Sequence, residues 1–504
     1  MIESFTETLA LVGIVVLVSS LLSGLIDRTG LPQVGIYLLL GAILGPAGLG
    51  LVDLGLRTPT LQVIATLALV LVLFSDAIGV DVSEMGRHRR LALLVLGPGT
   101  LLPAMAISLA AYCILGVSAP AALILGASLA STDPVLLRRL VRRPELPGVA
   151  RLALRLESGM NDVVLLPIVM LSMVALSGEA DMLRGHLPRQ LLGLFVLGPV
   201  LGAAVGWVAI TLLEQVRKRI GVRRDYESLY ALGVAFTAFA AAEAVHGSGF
   251  LAAFAAGMVI AALDVELCDC FLDYGQASAE MFLLLTFVAF GASVIWVGAT
   301  MADARTLVFA IIALAMRTAI MLPTLRAAVS DQRSRRLIAW FGPRGLSSLL
   351  LVMLPVFAGV PGSERLFATV ALVVLLSVVF HGSAIALFLR AGDRASPEAA
   401  AAGATVASPA PVASVPAAAH ALADQPAVPP AAALEVPERI TIPEMRALIE
   451  RREPVVIVDA RTPRSYRDDP RHARGAVRMV PDEAVRTARQ LGLDQHATLV
   501  VYCS

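Results

Sequence analysis

Residues 150–177 read ARLALRLESGMNDVVLLPIVMLSMVALS. The stretch is apolar and long enough to cross a bilayer as a helix, yet it carries Glu157, Asn161 and Asp162 in its interior. Ionisable groups at that depth are costly and mark functional positions by default. Helical spacing stacks Ser158 with Asp162 and Glu157 with Asn161, each pair on one face. The Ser158 hydroxyl and the Asp162 carboxylate can then contact one ion together. Glu157 lies beside that face and needs a cationic partner, or it sits protonated.

The rest of the chain supports a membrane setting. Of its 504 residues 57% are hydrophobic and only 16% charged, and mean hydropathy is +0.80. A water-soluble fold this apolar has too little polar surface to cover itself, so the excess faces lipid. Apolar runs predict an all-α polytopic protein of about thirteen transmembrane helices, at roughly 8–26, 33–51, 60–80, 91–115, 119–138, 150–177, 190–214, 227–246, 248–263, 277–298, 304–326, 336–357 and 366–389. The opening Met1-Ile-Glu-Ser4 carries no basic segment and no cleavage pattern follows, so the first run reads as a retained helix. Arg87, Arg89, Arg90, Arg138, Arg139, Arg142, Arg143, Arg217, Lys218, Arg219, Arg223, Arg224, Arg333, Arg335 and Arg336 fall on one side of these spans. The positive-inside rule makes that side cytoplasmic, with the N-terminus outside and the C-terminal tail inside. A net charge of +1 gives no sign of nucleic-acid binding. The four cysteines form no disulfide framework, and Cys268-Asp-Cys270 is a weak metal signal.

Other polar groups interrupt the apolar runs. Asp76 follows the run Leu67 to Phe74, Asp133 sits in Ser131-Thr-Asp-Pro134, Arg317 in Ala315-Met-Arg-Thr318, and Arg344 in Gly342-Pro-Arg-Gly345. Pro134 removes a backbone donor and disfavours helical geometry at Asp133, which predicts a break near Thr132. Gly342 to Gly345 predict a second break. Freed carbonyls at such breaks bind cations, and interrupted helices in the two halves point to a midplane site between inverted repeats. Asp133 and Arg344 supply the charge that opposed half-helix dipoles require. Glu157 reads as one half of a structural ion pair, with Arg317 its first candidate partner and Arg344 its second. Asp76 is open to either a structural or a site reading, whereas Ser158, Thr132 and Asp133 converge on Asp162. His246 and His381 read as interfacial or packed histidines rather than pH sensors.

At these residues the chain resembles the monovalent cation–proton antiporter family, in its sodium–proton exchanger branch. The resemblance covers roughly residues 5–390 and rests on the Ser131–Pro134, Glu157–Asp162 and Gly342–Gly345 motifs in family order. It implies a six-helix core with two crossed broken helices, a dimerisation domain and hence a homodimer, and elevator-like alternating access. It further implies that Asp162 carries Na+ or K+ and H+, with Ser158, Thr132 and Asp76 around the ion. No catalytic residue and no cofactor is expected. The Asn161-Asp162 pair implies electroneutral exchange, and Asp76 stands where many members have glutamate. Independently of the resemblance, a carboxylate that binds either a cation or a proton, but not both, couples the two by competition.

Residues 391–436 are rich in Ala, Pro and Ser and read as a disordered linker. From 437 the pattern is globular. Residues 444–452 and 483–490 read as helices, and 455–459 and 499–502 as buried strands of a small α/β unit with a parallel sheet. Val458-Asp-Ala-Arg461, His472-Ala-Arg-Gly-Ala476 and Val500-Val-Tyr-Cys503 resemble a partial rhodanese domain, in which Cys503 stands at the persulfide position. The loop that cradles such a sulfur does not follow it here, so sulfur transfer is not expected of this chain. Two further readings compete with antiport. One is a membrane-tethered sulfurtransferase or sensor, for which so many spans are excessive. The other is a potassium efflux channel, for which no glycine-rich nucleotide-binding module follows the last span.

Overall fold

The computed structural model describes residues 33–46, 48–51, 55–80, 82–141, 143, 146–176, 191–220, 224–263, 281–282 and 284–395. In the C-terminal part it describes 454–461, 472–473, 475–479 and 497–502, with isolated positions elsewhere. The chain divides into two compact units, Met1–Ser408 and Pro409–Ser504.

The first unit is helical. Its principal helices are α1 (Gln33–Leu44), α2 (Pro59–Ile78), α3 (Arg89–Leu96), α4 (Pro98–Ala110), α5 (Ala119–Ala130), α6 (Pro134–Val141) and α7 (Gly148–Leu176). They continue as α8 (Gly198–Arg219), α9 (Arg224–Ala244), α10 (Gly249–Leu263), α11 (Ala304–Thr324), α12 (Gln332–Trp340), α13 (Leu346–Phe357) and α14 (Ser363–Ala395). Among the described residues seven helical segments are long and apolar enough to cross a membrane, and four shorter apolar helices accompany them. The chain is therefore a multi-pass membrane protein. The expected run of thirteen is not reproduced in this count, and most of 8–26 and part of 277–298 lie outside the described residues.

Local chemistry sets the helix limits. Prolines at the first or second position open α2, α4, α5 and α8, where an amide donor has no intrahelical partner. Asp303 and Asp331 cap α11 and α12, accepting from Thr306 N at 2.7 Å and Ser334 N at 2.8 Å. The expected span 91–115 is interrupted at Gly97-Pro98 and ends in a π-turn, Ala111–Leu115. The two expected breaks are present as non-helical residues 131–133, between α5 and α6, and 341–345, between α12 and α13. Glycines permit the tightest packing. Gly202 and Gly206 on α8 lie against the backbone of Ala252 and Ala256 on α10, where any Cβ would collide.

The second unit contains a three-stranded parallel sheet of order β2-β1-β3, formed by β1 (Val455–Asp459), β2 (Val477–Arg478) and β3 (Thr498–Tyr502). Val456 pairs with Leu499 and Val458 with both Val501 and Val477. Val458 and Met479 are buried, but Leu499 and Val501 on β3 are 49% and 57% exposed. The expected helices at 444–452 and 483–490 fall almost entirely outside the described residues, as do the 396–436 stretch and Cys503. The helix α14 runs to Ala395, five residues past the expected linker start.

Asp459 closes β1. Its carboxylate takes Arg461 Nε at 3.0 Å and Nη2 at 2.7 Å, and these hydrogen bonds hold its pKa down to about 2. A carboxylate depressed on folding stabilises the folded form above its unfolded pKa and loses that contribution as pH falls through the folded value. The tail sheet is accordingly expected to weaken between about pH 4 and pH 2. Pepsin cleavage of the tail, normalised to an unfolded peptide, should rise over that window in the wild type. In Asp459→Asn the same cleavage should be high throughout.

Candidate functional site

The two breaks cross and are fastened to each other. Asp133 N donates to Pro343 O at 2.9 Å. Asp133 Oδ1 accepts from Val135 N at the start of α6, and Oδ2 from Leu346 N at the start of α13, both at 2.8 Å. One buried carboxylate thus sits at two helix N-termini, where the dipoles favour negative charge. On the opposite side Arg344 Nη1 donates to Ala130 O at 2.9 Å and Ser131 O at 3.1 Å, the orphan carbonyls at the end of α5. Ser377 Oγ on α14 accepts from Arg344 N at 2.7 Å.

Close approach dictates the flanking glycines. A Cβ at Gly345 would overlap the Asp133 carboxylate, and one at Gly342 would overlap the Arg317 guanidinium. Gly345 has φ −158°, so clearance rather than backbone conformation is what requires glycine here. Gly345→Ala is expected to lower stability by about 1–3 kcal/mol and to depress transport, because it pries Asp133 from α13. A detergent thermal-shift assay on the purified variant checks the first effect.

Glu157 and Arg317 form a buried bidentate pair. Arg317 Nε donates to Oε1 at 2.7 Å and Nη2 to Oε2 at 2.5 Å, and the residues are 3% and 2% exposed. Arg317 Nη1 continues to Ala339 O at 2.7 Å, at the end of α12. Arg344, the second candidate for this pairing, instead spends its described side-chain hydrogen bonds on the α5 carbonyls.

Asp162, 4% exposed, is treated differently. Ser131 Oγ donates to its Oδ1 at 2.5 Å, and Ser347 on α13 lies near enough to act electrostatically on the same carboxylate. Asn161 Nδ2 donates to Thr132 Oγ1 at 2.9 Å, while Asn161 Oδ1 is buried without a partner. Ser158 Oγ donates to Leu154 O at 2.8 Å, one turn back along α7. Ser158 and Thr132, expected to converge on Asp162, make their described hydrogen bonds to other groups. Ser131 contacts the carboxylate, Ser347 stands within its electrostatic range, Thr132 turns to Asn161, and Ser158 bonds within its own helix. Asp133, expected among the ion-binding groups, has both oxygens engaged by helix amides.

Asp76 on α2 is half-buried and packs against Gly159. With Ser75, Ser158 and Gly159 it lines a cavity of about 430 Å³ whose wall also includes Glu84, Arg138, Arg151 and Arg155. Asp76 lies within electrostatic range of Asp162. His381 is buried with Nδ1 3.1 Å from Ser377 Oγ, and its ring lies 6.0 Å from that of Trp340. His246 lies in the turn after α9 with φ 61°. Among the described residues no cluster of three or more His, Cys, Asp or Glu is placed to hold a metal ion, and Cys268 and Cys270 lie outside them. The oxygen-rich surroundings of Asp162 suit a hard monovalent cation as cargo.

Broken helices, fastened amide-to-carboxylate at their crossing, with a buried acid beside them, define a class of ion-translocating membrane folds. The family model described as sodium/hydrogen exchanger, transmembrane, matches residues 14–391, and the chain belongs to that family. The K(+)/H(+) antiporter NhaP of Alkalimonas amylolytica is 26% identical over 401 residues, covering 76% of this chain and 66% of that protein. The K(+)/H(+) antiporter NhaP2 of Shewanella sp. (strain ANA-3) is 25% identical over 382 residues, covering 73% and 64%. The chain thus spans just under two thirds of the length of these curated relatives. The solved structure of the sodium proton antiporter MjNhaP1 from Methanocaldococcus jannaschii at pH 8 superposes with a TM-score of 0.62 at 18% identity. It covers 76% of this chain and 98% of that one, so the two share a fold.

Proposed function

We propose that the chain is a secondary transporter that exchanges Na+ or K+ for H+ across the cell inner membrane, with Asp162 as the carboxylate for which cation and proton compete. The observation that carries this is the division of labour on α7. The arginine salt bridge goes to Glu157, while the described hydrogen bond to Asp162 comes from the Ser131 hydroxyl. Asp162 is thereby left able to take up either ion. The family membership and the antiporter names of the relatives support the same reading.

The empty, charged carboxylate is the species that a low-dielectric passage excludes, so net movement occurs only with a cation or a proton in place. One carboxylate exchanging one cation for one proton is electroneutral. The cavity beside Asp76 and Ser158, ringed by arginines of the basic side, supplies the cytoplasmic approach. Asp76 assists the ion from across that cavity. The N-terminus lies outside and the tail inside, and the working unit is a homodimer in the lipid bilayer. Transport belongs to residues 1–390. A linker, 396–436, leads to a rhodanese-like unit, 437–504, that takes no part in ion exchange. No cofactor is used.

The test is proton flux in proteoliposomes, followed by a pH-sensitive dye on addition of Na+, K+ or Li+. Cation-dependent proton release without accompanying current is expected. Cation flux that carries current and moves no proton would instead indicate a channel.

A further inference from the structure

Ser131 and Ser347 are the polar groups nearest the proposed ion site that the sequence reading passed over. Each comes from a different broken helix: Ser131 from the gap after α5, and Ser347 from the first turn of α13. Both are buried, Ser131 Oγ donates to the Asp162 carboxylate, and Ser347 lies near enough to act electrostatically on it. Ser131 is held in place from behind, because its carbonyl accepts from Arg344 Nη1 at 3.1 Å and from Ser348 Oγ at 3.3 Å. Its hydroxyl is therefore aimed at Asp162 by the crossing itself. Beside it Asn161, 0% exposed, presents an amide oxygen with no hydrogen-bond partner. A buried acceptor without a protein partner is free to bind an ion or a water.

A serine hydroxyl can serve either state of such a site. It donates to the carboxylate when no cation is present, and on rotation its oxygen lone pairs become available to a cation. Hard monovalent cations are bound by oxygens, and their discrimination depends on how many oxygens converge and how closely. Resting on the reading of Asp162 as the transport carboxylate, we propose that Ser131 and Ser347 are cation ligands contributed by the two crossing helices. Together with Asp162 they set which monovalent cation is preferred. The unpartnered Asn161 amide oxygen is the further oxygen available to this set. Ion occupancy then draws on both broken helices and not on α7 alone.

The experiment compares Ser131→Ala, Ser347→Ala, Ser131→Thr and Asp162→Asn with the wild type in proteoliposomes at one fixed pH. Initial rates are taken against Na+, K+ and Li+ concentration. Each alanine variant is expected to raise the apparent KM for the preferred cation by roughly tenfold, the weight of one contact to a charged group. Maximal rate should stay near wild type, the order of preference among the three cations should change, and Ser131→Thr should restore the KM. Unchanged KM and unchanged cation order in both alanine variants, with Asp162→Asn inactive, would overturn the ligand role and leave the Asp162 reading standing. A fall in maximal rate alone, with no rescue by threonine, would also overturn it by showing a structural role. If Ser131→Ala does not fold, Ser347→Ala decides the matter alone. Transport by Asp162→Asn would remove the reading on which the proposal rests.

Discussion

Asp162→Asn should abolish cation-driven proton flux, down to the level of empty liposomes, in protein that still inserts and folds. Asparagine keeps the size of the side chain and an oxygen facing Ser131, so the packing around α7 has little reason to change. What it removes is the charge that binds the cation and the site that takes the proton. Among the described residues no other carboxylate beside α7 is placed to substitute. Glu157 is neutralised by Arg317, Asp133 has its oxygens on two helix amides, and Asp76 lies across the cavity wall. The variant should elute as a single species in detergent with an unchanged melting temperature. Sodium- or potassium-driven dequenching at near wild-type rate would sink the assignment.

Glu157→Gln should do the reverse and damage the fold more than the ion site. The change leaves the Arg317 guanidinium buried, with a neutral amide where its bidentate partner stood. Removing one member of a buried pair costs about 3–5 kcal/mol, because the surviving charge is left uncompensated in a low-dielectric interior. Arg317 also ties α7 to the end of α12 through Ala339, so the loss loosens the approach to the second break. A large drop in detergent melting temperature is expected, with little change in apparent KM for the cation in the fraction that stays folded. Replacing both residues with apolar side chains of similar volume should recover much of that stability. A stable Glu157→Gln protein whose sole defect is weak cation binding would mean that support and site have been confused.

The parts of this arrangement visible in the sequence are those governed by local rules. Pro134 and the Gly342–Gly345 segment forecast the two breaks because proline and glycine act on the backbone whatever surrounds them. Strands were legible at 455–459 and 499–502 from their β-branched runs, within one residue of those observed. The ligands of Asp162 were not legible. Helical periodicity says which residues share a face only while the chain is helical, and Ser131 and Thr132 lie where it is not. Adjacent residues there point to different partners, one to Asp162 and the other to Asn161. Ser158 stands on the right face, but its hydroxyl has a closer acceptor in Leu154 O, a habit of serines within helices. Ser347 comes from some two hundred residues away along the chain, so only tertiary structure could bring it in. The Gly97-Pro98 interruption was readable in principle, since proline at the first position opens a new helix.

The fastening of the two breaks has a mechanical consequence. Shifting α5 against α13 would rupture the Asp133–Pro343 backbone bond and the Asp133–Leu346 bond. The two Arg344–carbonyl bonds and the Ser348–Ser131 bond would be lost at the same time. Such a junction has no soft coordinate of its own, so the two half-helices translate as one stiff piece. Compliance must therefore reside at surfaces without comparable bonds, such as the wall where Asp76 on α2 packs against Gly159 on α7. A covalent staple across the break should be silent in kinetics, whereas a staple between α2 and α7 should arrest the cycle.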